Sequence, residues 1–164
     1  MALIIEDGSV VPGAESYATA AELATYSTNF GKTIPADEAA QESLLRRASL
    51  QMEAIPWKGC TVRYDQPLAW PRAEVYKNGF ELLSNRIPPQ VKAGQMALAA
   101  EIYADDLVDP ATKQGAAIRK KVGPLEFEYA AANSNVTKAA AVRQSYAQFA
   151  GLVQSSGQIK LSRS

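Results

Sequence analysis

Between two segments patterned as amphipathic helices lie 33 residues, 56–88, that are neither helical nor polar enough to be left unfolded. Pro56, Pro67, Pro71 and Pro88 break any helix there, because proline lacks the backbone N–H and its ring clashes with the preceding turn. Yet the stretch carries Trp57, Tyr64, Leu68, Trp70, Val75, Tyr76, Phe80 and Leu82, more apolar bulk than a disordered linker holds. A connection this long inside a compact domain is either functional or locally packed. At its centre stands QPLAWPR, Gln66 to Arg72. Trp70 precedes a proline, which holds it extended, and Pro67 and Pro71 restrict the chain on either side. The expectation is a structural clasp. Leu68 and Trp70 point inward together, Pro71 fixes the backbone, and Arg72 stacks on an aromatic face or donates to loop carbonyls.

The flanking segments read more simply. ALII, residues 2–5, patterns as a short strand closed by the turn formers Asp7-Gly8 and Pro12-Gly13. Thr19 and Glu22 have capping-box spacing, Leu23, Tyr26 and Phe30 share a helical face, and Gly31 is a left-handed stop. A second helix starts near Pro35, with Asp37 and Glu38 in the first turn, where the helix dipole favours negative charge. Leu44, Ala48, Met52 and Ile55 form its stripe, Leu45 widens it, Glu42 and Arg46 pair across one turn, and Pro56 ends it. After Pro88-Pro89 comes a long helix of about 30 Å. One stripe is Val91, Leu98 and Ile102, a second is Met96, Ala100, Tyr103 and Leu107, and alanines between them admit close neighbours.

Residues 118–129, IRKKVGPLEFEY, change the period to two. With Gly123-Pro124 at the tip of a hairpin, Arg119 stands opposite Glu128 and Lys121 opposite Glu126. A last helix is expected over 139–153, with Val142, Tyr146, Phe149 and Val153 on one side, followed by the polar tail SSGQIKLSRS. The chain therefore divides into residues 1–138, holding the clasp loop (56–88) and the β-hairpin (118–129), and residues 139–164, a C-terminal helix and tail. The fold class expected is mainly α: a small helical bundle with a long central helix, a β-hairpin and an extended C-terminal helix and tail.

Composition excludes several kinds of chemistry. Seventeen basic residues balance seventeen acidic ones among 164, and there is no histidine, the usual general base and metal ligand. Cys60 is alone, so neither a disulfide framework nor a zinc cluster is expected. The N-terminus lacks a basic region and reads as no secretory leader, and no apolar run is long enough to span a bilayer. GxGxxG, P-loop, HExxH and GxSxG strings are all absent, and Asp105-Asp106 and Glu126/Glu128 read as solvated surface. We therefore expect an intracellular protein with no catalytic residues, no cofactor, no metal and no membrane contact.

In order along the chain, EDG, SYATAAEL-ATY, RRAS, WKG, QPLAWPR, Ile87-Pro88 and KVGPLEFEYA resemble the head–tail connector (adaptor, or head completion) proteins of tailed bacteriophages. The likeness covers most of the chain, and the Q-x-L-x-W-P-R tract is its most specific part. Some members of that family carry the label DnaT-like single-stranded-DNA-binding protein. The resemblance implies a ring, commonly twelvefold, that joins the portal to the tail or its completion protein. It implies assembly in the host cytoplasm, a place in the neck of the virion, and DNA passing through without sequence-specific binding. Arg143, Lys160 and Arg163 would then face the portal, and the hairpin residues Arg119, Lys121, Glu126 and Glu128 a neighbouring subunit or the tail. The alternative is a single-stranded-DNA-binding module. Zero net charge sets it second, since a groove that tracks phosphates calls for a basic excess with interleaved aromatics.

Overall fold

The structure, a computed structural model, describes residues 3–107, 119–122, 125–128 and 143–154. Helix α1 (Ala20–Asn29) begins where the sequence places its cap. The Glu22 N–H donates to Thr19 Oγ1 at 3.2 Å and the Thr19 N–H to Glu22 Oε2 at 2.8 Å, so two free donors are satisfied reciprocally. It closes at Gly31, whose N–H bonds to the Thr28 carbonyl while that of Lys32 bonds to Ser27, the two bonds of a Schellman motif. Leu23 and Tyr26 are buried, whereas Phe30 is half exposed and stacks on Tyr26 at 4.3 Å.

Helix α2 (Glu38–Glu53) starts after Asp37, whose carboxylate accepts the Ala40 N–H. Leu44, Leu45, Ala48, Met52 and Ile55 are all buried, and Arg46 ties Glu42 to Glu15 across the surface. Helix α3 (Pro89–Asp106) is the centre of the fold and packs against α1, α2 and a short α4 (Gln144–Gln148). Its buried residues, among them Val91, Met96, Leu98, Ala99 and Ile102, run round most of its circumference, as expected of a helix enclosed by others.

One polar side chain knits these elements together. Gln95, fully buried, accepts the Tyr17 and Ala18 N–H groups through Oε1, at 3.0 Å each. Its Nε2 offers two N–H groups to three acceptors, Ser16 Oγ, Ser49 Oγ and the Leu45 carbonyl, at 2.8, 2.7 and 3.1 Å. Beside it, Gly94 leaves room for Phe149: a Cβ there would lie 2.0 Å from Phe149 Cε1.

Two expectations are corrected at the chain ends. The 2–5 segment forms no strand among the described residues, only a single bridge from Ile5 to Ser16. The cause is Glu6, whose buried carboxylate accepts the N–H groups of Gly8, Val10 and Val11 at 2.8, 3.0 and 2.8 Å and curls the backbone round itself. The last helix covers only Gln144–Gln148 where 139–153 was expected, with 139–142 outside the described residues. Beyond it the chain turns at Gly151 (φ +82°) and runs back beside Trp57. There the Lys58 N–H bonds to the Leu152 carbonyl at 2.9 Å, and the Gln154 N–H to Pro56 at 2.8 Å.

The described residues also hold three two-stranded antiparallel sheets. Strand β1 (Cys60–Thr61) pairs with β2 (Arg72–Ala73), β3 (Tyr76–Lys77) with β4 (Phe80–Glu81), and β5 (Arg119–Val122) with β6 (Leu125–Glu128). In the last sheet Arg119 is opposite Glu128 and Lys121 opposite Glu126, the register expected of that hairpin. With four helices and these sheets among the described residues, the fold is a small mixed one rather than plainly mainly α. The difference lies in residues 56–88, which hold two ladders of their own.

Candidate functional site

The clasp residues stand inside. Leu68, Trp70 and Pro71 are buried, Trp70 completely, and the Trp70–Pro71 peptide bond is cis. The Trp70 N–H donates to Tyr17 Oη at 3.0 Å, and burial pushes the Tyr17 phenol above its ordinary pKa. Trp70 lies edge-on to Trp57 at 5.7 Å, and Trp57 edge-on to Phe149 at 4.9 Å, a geometry aromatic pairs prefer. Trp70 Nε1 has no acceptor among the described residues, so the indole is held by apolar packing and by its backbone. Arg72 donates to the carbonyls of Lys58, Ala69 and Gly59 at 2.8, 3.2 and 2.9 Å. Burial lowers its guanidinium pKa. QPLAWPR itself thus presents little to a partner.

What the clasp displays is another matter. Residues 62–66 loop out between β1 and β2 and carry Tyr64, which is 100% exposed. The β3–β4 hairpin leaves the same ladder from its other end. Its turn is Asn78-Gly79, both at positive φ (53° and 83°), the backbone of a two-residue hairpin turn. At its base Val75 is buried and accepts the Leu82 N–H at 2.8 Å, while Phe80 (77% exposed) and Tyr76 (57%) stand clear. Lys77 is paired with Phe80 across the strands, so the two side chains share a face.

Cations accompany these rings. Lys58 Nζ donates to the Gly151 carbonyl at 2.8 Å, and the Lys77 stem passes 3.6 Å from where a Gly151 Cβ would be. The two lysines therefore converge at Gly151, beside Phe80. Residues 56–88 hold five basic residues (Lys58, Arg63, Arg72, Lys77, Arg86) against three acids. Among the described residues only Arg63 of these five has a carboxylate partner, Asp65. Lys58 and Arg72 are held by carbonyls, which leave their charge in place. Sequence reasoning passed over this surface, although Asn-Gly between Tyr76-Lys77 and Phe80-Glu81 is a strong hairpin signal.

The other residues singled out in the sequence do not gather here. Arg143 reaches Asp105 at 3.6 Å. Arg119, Lys121, Glu126 and Glu128 occupy positions in the β5–β6 ladder. Lys160 and Arg163 lie outside the described residues. Among the described residues no three His, Cys, Asp or Glu side chains gather as a metal site, and no helix is long and apolar enough to cross a membrane.

The whole chain, residues 1–164, matches the family described as "Putative DnaT-like ssDNA binding protein". The chain belongs to that family. No curated protein matches it, and no solved structure does. The family match corrects the head–tail connector expectation, with its twelvefold ring, its portal and tail partners and its DNA merely passing through. The reason lies in what the motifs encode. Glu6 of EDG, Trp57 of WKG and Trp70 of QPLAWPR are all buried, so these strings report how the chain packs, and packing does not specify a task. The assembly roles expected of Arg143, Lys160 and Arg163, and of Arg119, Lys121, Glu126 and Glu128, were drawn alongside that resemblance.

Proposed function

We propose that this protein is a non-catalytic single-stranded-DNA-binding module of the DnaT-like family, and that it binds through the surface of residues 58–86. The observation that carries the reading is exposed Phe80 on the same hairpin face as Lys77, whose stem meets Lys58 at Gly151. The exposed rings Tyr76, on the hairpin's other face, and Tyr64, at the far end of the β1–β2 ladder, extend it, with Arg86 further along the chain. Single-strand binders combine just such parts: cations that track the backbone and aromatic faces on which bases stack whatever their sequence. Neutral net charge does not oppose this, because phosphates respond to the local field. Residues 1–55 hold eight acids against three basic residues, and residues 56–164 fourteen basic residues against nine acids.

The test is fluorescence anisotropy of the purified protein with a labelled single strand and with the corresponding duplex, over a range of salt. The expected result is preference for the single strand. With three phosphates neutralised, log K should fall against log salt with a slope of about −2. Equal affinity for duplex and single strand, or no binding at low salt, would overturn the proposal.

A further inference from the structure

We propose that Tyr64 is a preformed base-stacking finger, which takes the face of one unpaired nucleobase and so makes binding depend on bases as well as phosphates. This rests on the single-strand reading above and names what one part of that surface recognises. Three observations carry it.

First, Tyr64 is fully exposed, alone in this among the large apolar side chains of the described residues. Second, the loop that bears it is built. Gln66 Oε1 accepts the Val62 and Arg63 N–H groups at 2.9 and 3.1 Å, and Nε2 donates to the Leu68 and Pro71 carbonyls at 2.6 and 3.1 Å. The amide thereby uses both its acceptor sites and both its donors, and it ties the loop to the buried clasp. With the backbone that carries it held beforehand, only the side-chain rotations of Tyr64 are left to be ordered when a ligand arrives. Third, the finger offers the ring rather than a charge. Arg63 Nε and Nη2 meet the Asp65 carboxylate at 3.0 and 2.9 Å, so the residues on either side of Tyr64 neutralise each other. A face without net charge and with an open π-system suits a nucleobase, and any base has a π-face to stack on it.

The experiment uses the intact protein and two labelled strands of about twenty nucleotides, longer than one typical single-strand site. One is oligothymidine, and the other is an abasic strand with the same phosphates and no bases. Wild type should prefer oligothymidine. Tyr64→Ala should weaken that binding by about five- to a hundredfold and leave the abasic strand unaffected. Tyr64→Phe, which keeps the ring, should behave as wild type. Being fully exposed, Tyr64 can be changed without touching the core. Equal wild-type affinity for the two strands, or a Tyr64→Ala protein that weakens both by the same factor, would overturn the finger and leave single-strand binding standing. Failure of wild type to bind either strand would overturn both.

Discussion

Gln95 shows how much of this fold can rest on one side chain. Its amide satisfies two backbone N–H groups from the loop before α1 and donates into α2, so it joins three parts of the chain distant in sequence. Replacing it with leucine keeps the volume nearly constant but leaves the Tyr17 N–H buried without an acceptor, while the Ala18 N–H keeps only Ser16 Oγ, at 3.1 Å. Each orphaned donor costs about 1–3 kcal/mol. Gln95→Leu should therefore lower the unfolding free energy by about 1–3 kcal/mol, read as a reduced urea midpoint with an unchanged slope. A midpoint equal to that of wild type would show that the network is dispensable. Gln95 could not be picked out in the sequence, where one glutamine among the alanines of a helix looks like a solvent-facing position.

At the scale of elements, α1 is joined to α3 by the same glutamate that caps it. Lys92 Nζ lies 2.9 Å from Glu22 Oε1. Burial alone would raise the Glu22 carboxyl, but the bonds from Lys92 and Thr19 outweigh it and hold the pKa below its ordinary 4.5. A carboxyl lowered in the folded state contributes stability that is present above its unfolded pKa and lost as pH falls through the folded one. Glu22→Gln should thus melt earlier than wild type at neutral pH, and the gap should close once the pH has dropped well below 4.5. A gap that persists unchanged into acid would show that the carboxylate charge plays no part. The cap was readable from Thr19 and Glu22 because its partners are three residues apart. Lys92, seventy residues away, was not.

For the whole molecule, electrostatics follows from where charges stand rather than from their sum. In the first third of the chain the acids serve the fold itself. Glu6 binds backbone, Asp37 caps α2, and Glu15 and Glu42 share Arg46. In residues 58–86, Lys77 and Arg86 make no ion pair among the described residues, and on the proposed function they are the cations that meet phosphates. Lys77→Gln combined with Arg86→Gln should reduce the salt slope for single-strand binding by about 1.4, some 0.7 for each phosphate no longer neutralised. Neither residue packs in the core, so thermal stability should barely change. An unchanged slope would place the phosphates on another face.

The helices were legible because their causes act over a few residues. Thr19 and Glu22 cap α1, Asp37 opens α2 and the double proline opens α3, and the apolar stripes of α2 and α3 are the faces that become buried, except at the end of α3, where Tyr103 is half-buried and Leu107 exposed. The β5–β6 register was equally local, a matter of alternation about Gly123-Pro124. Tertiary packing decided the rest. Whether the aromatics of residues 56–88 serve the core or the surface depends on which of them the helices can cover. Trp57 and Trp70 find Met52, Tyr17 and Phe149, while Tyr64 and Phe80, just as aromatic, stand beyond the reach of the bundle. Periodicity cannot separate the two groups, because burial is a property of the neighbours a residue acquires. The same holds for the charges: which of them are matched within the chain, and that Lys77 and Arg86 are not, was decided by folding and not by their sum.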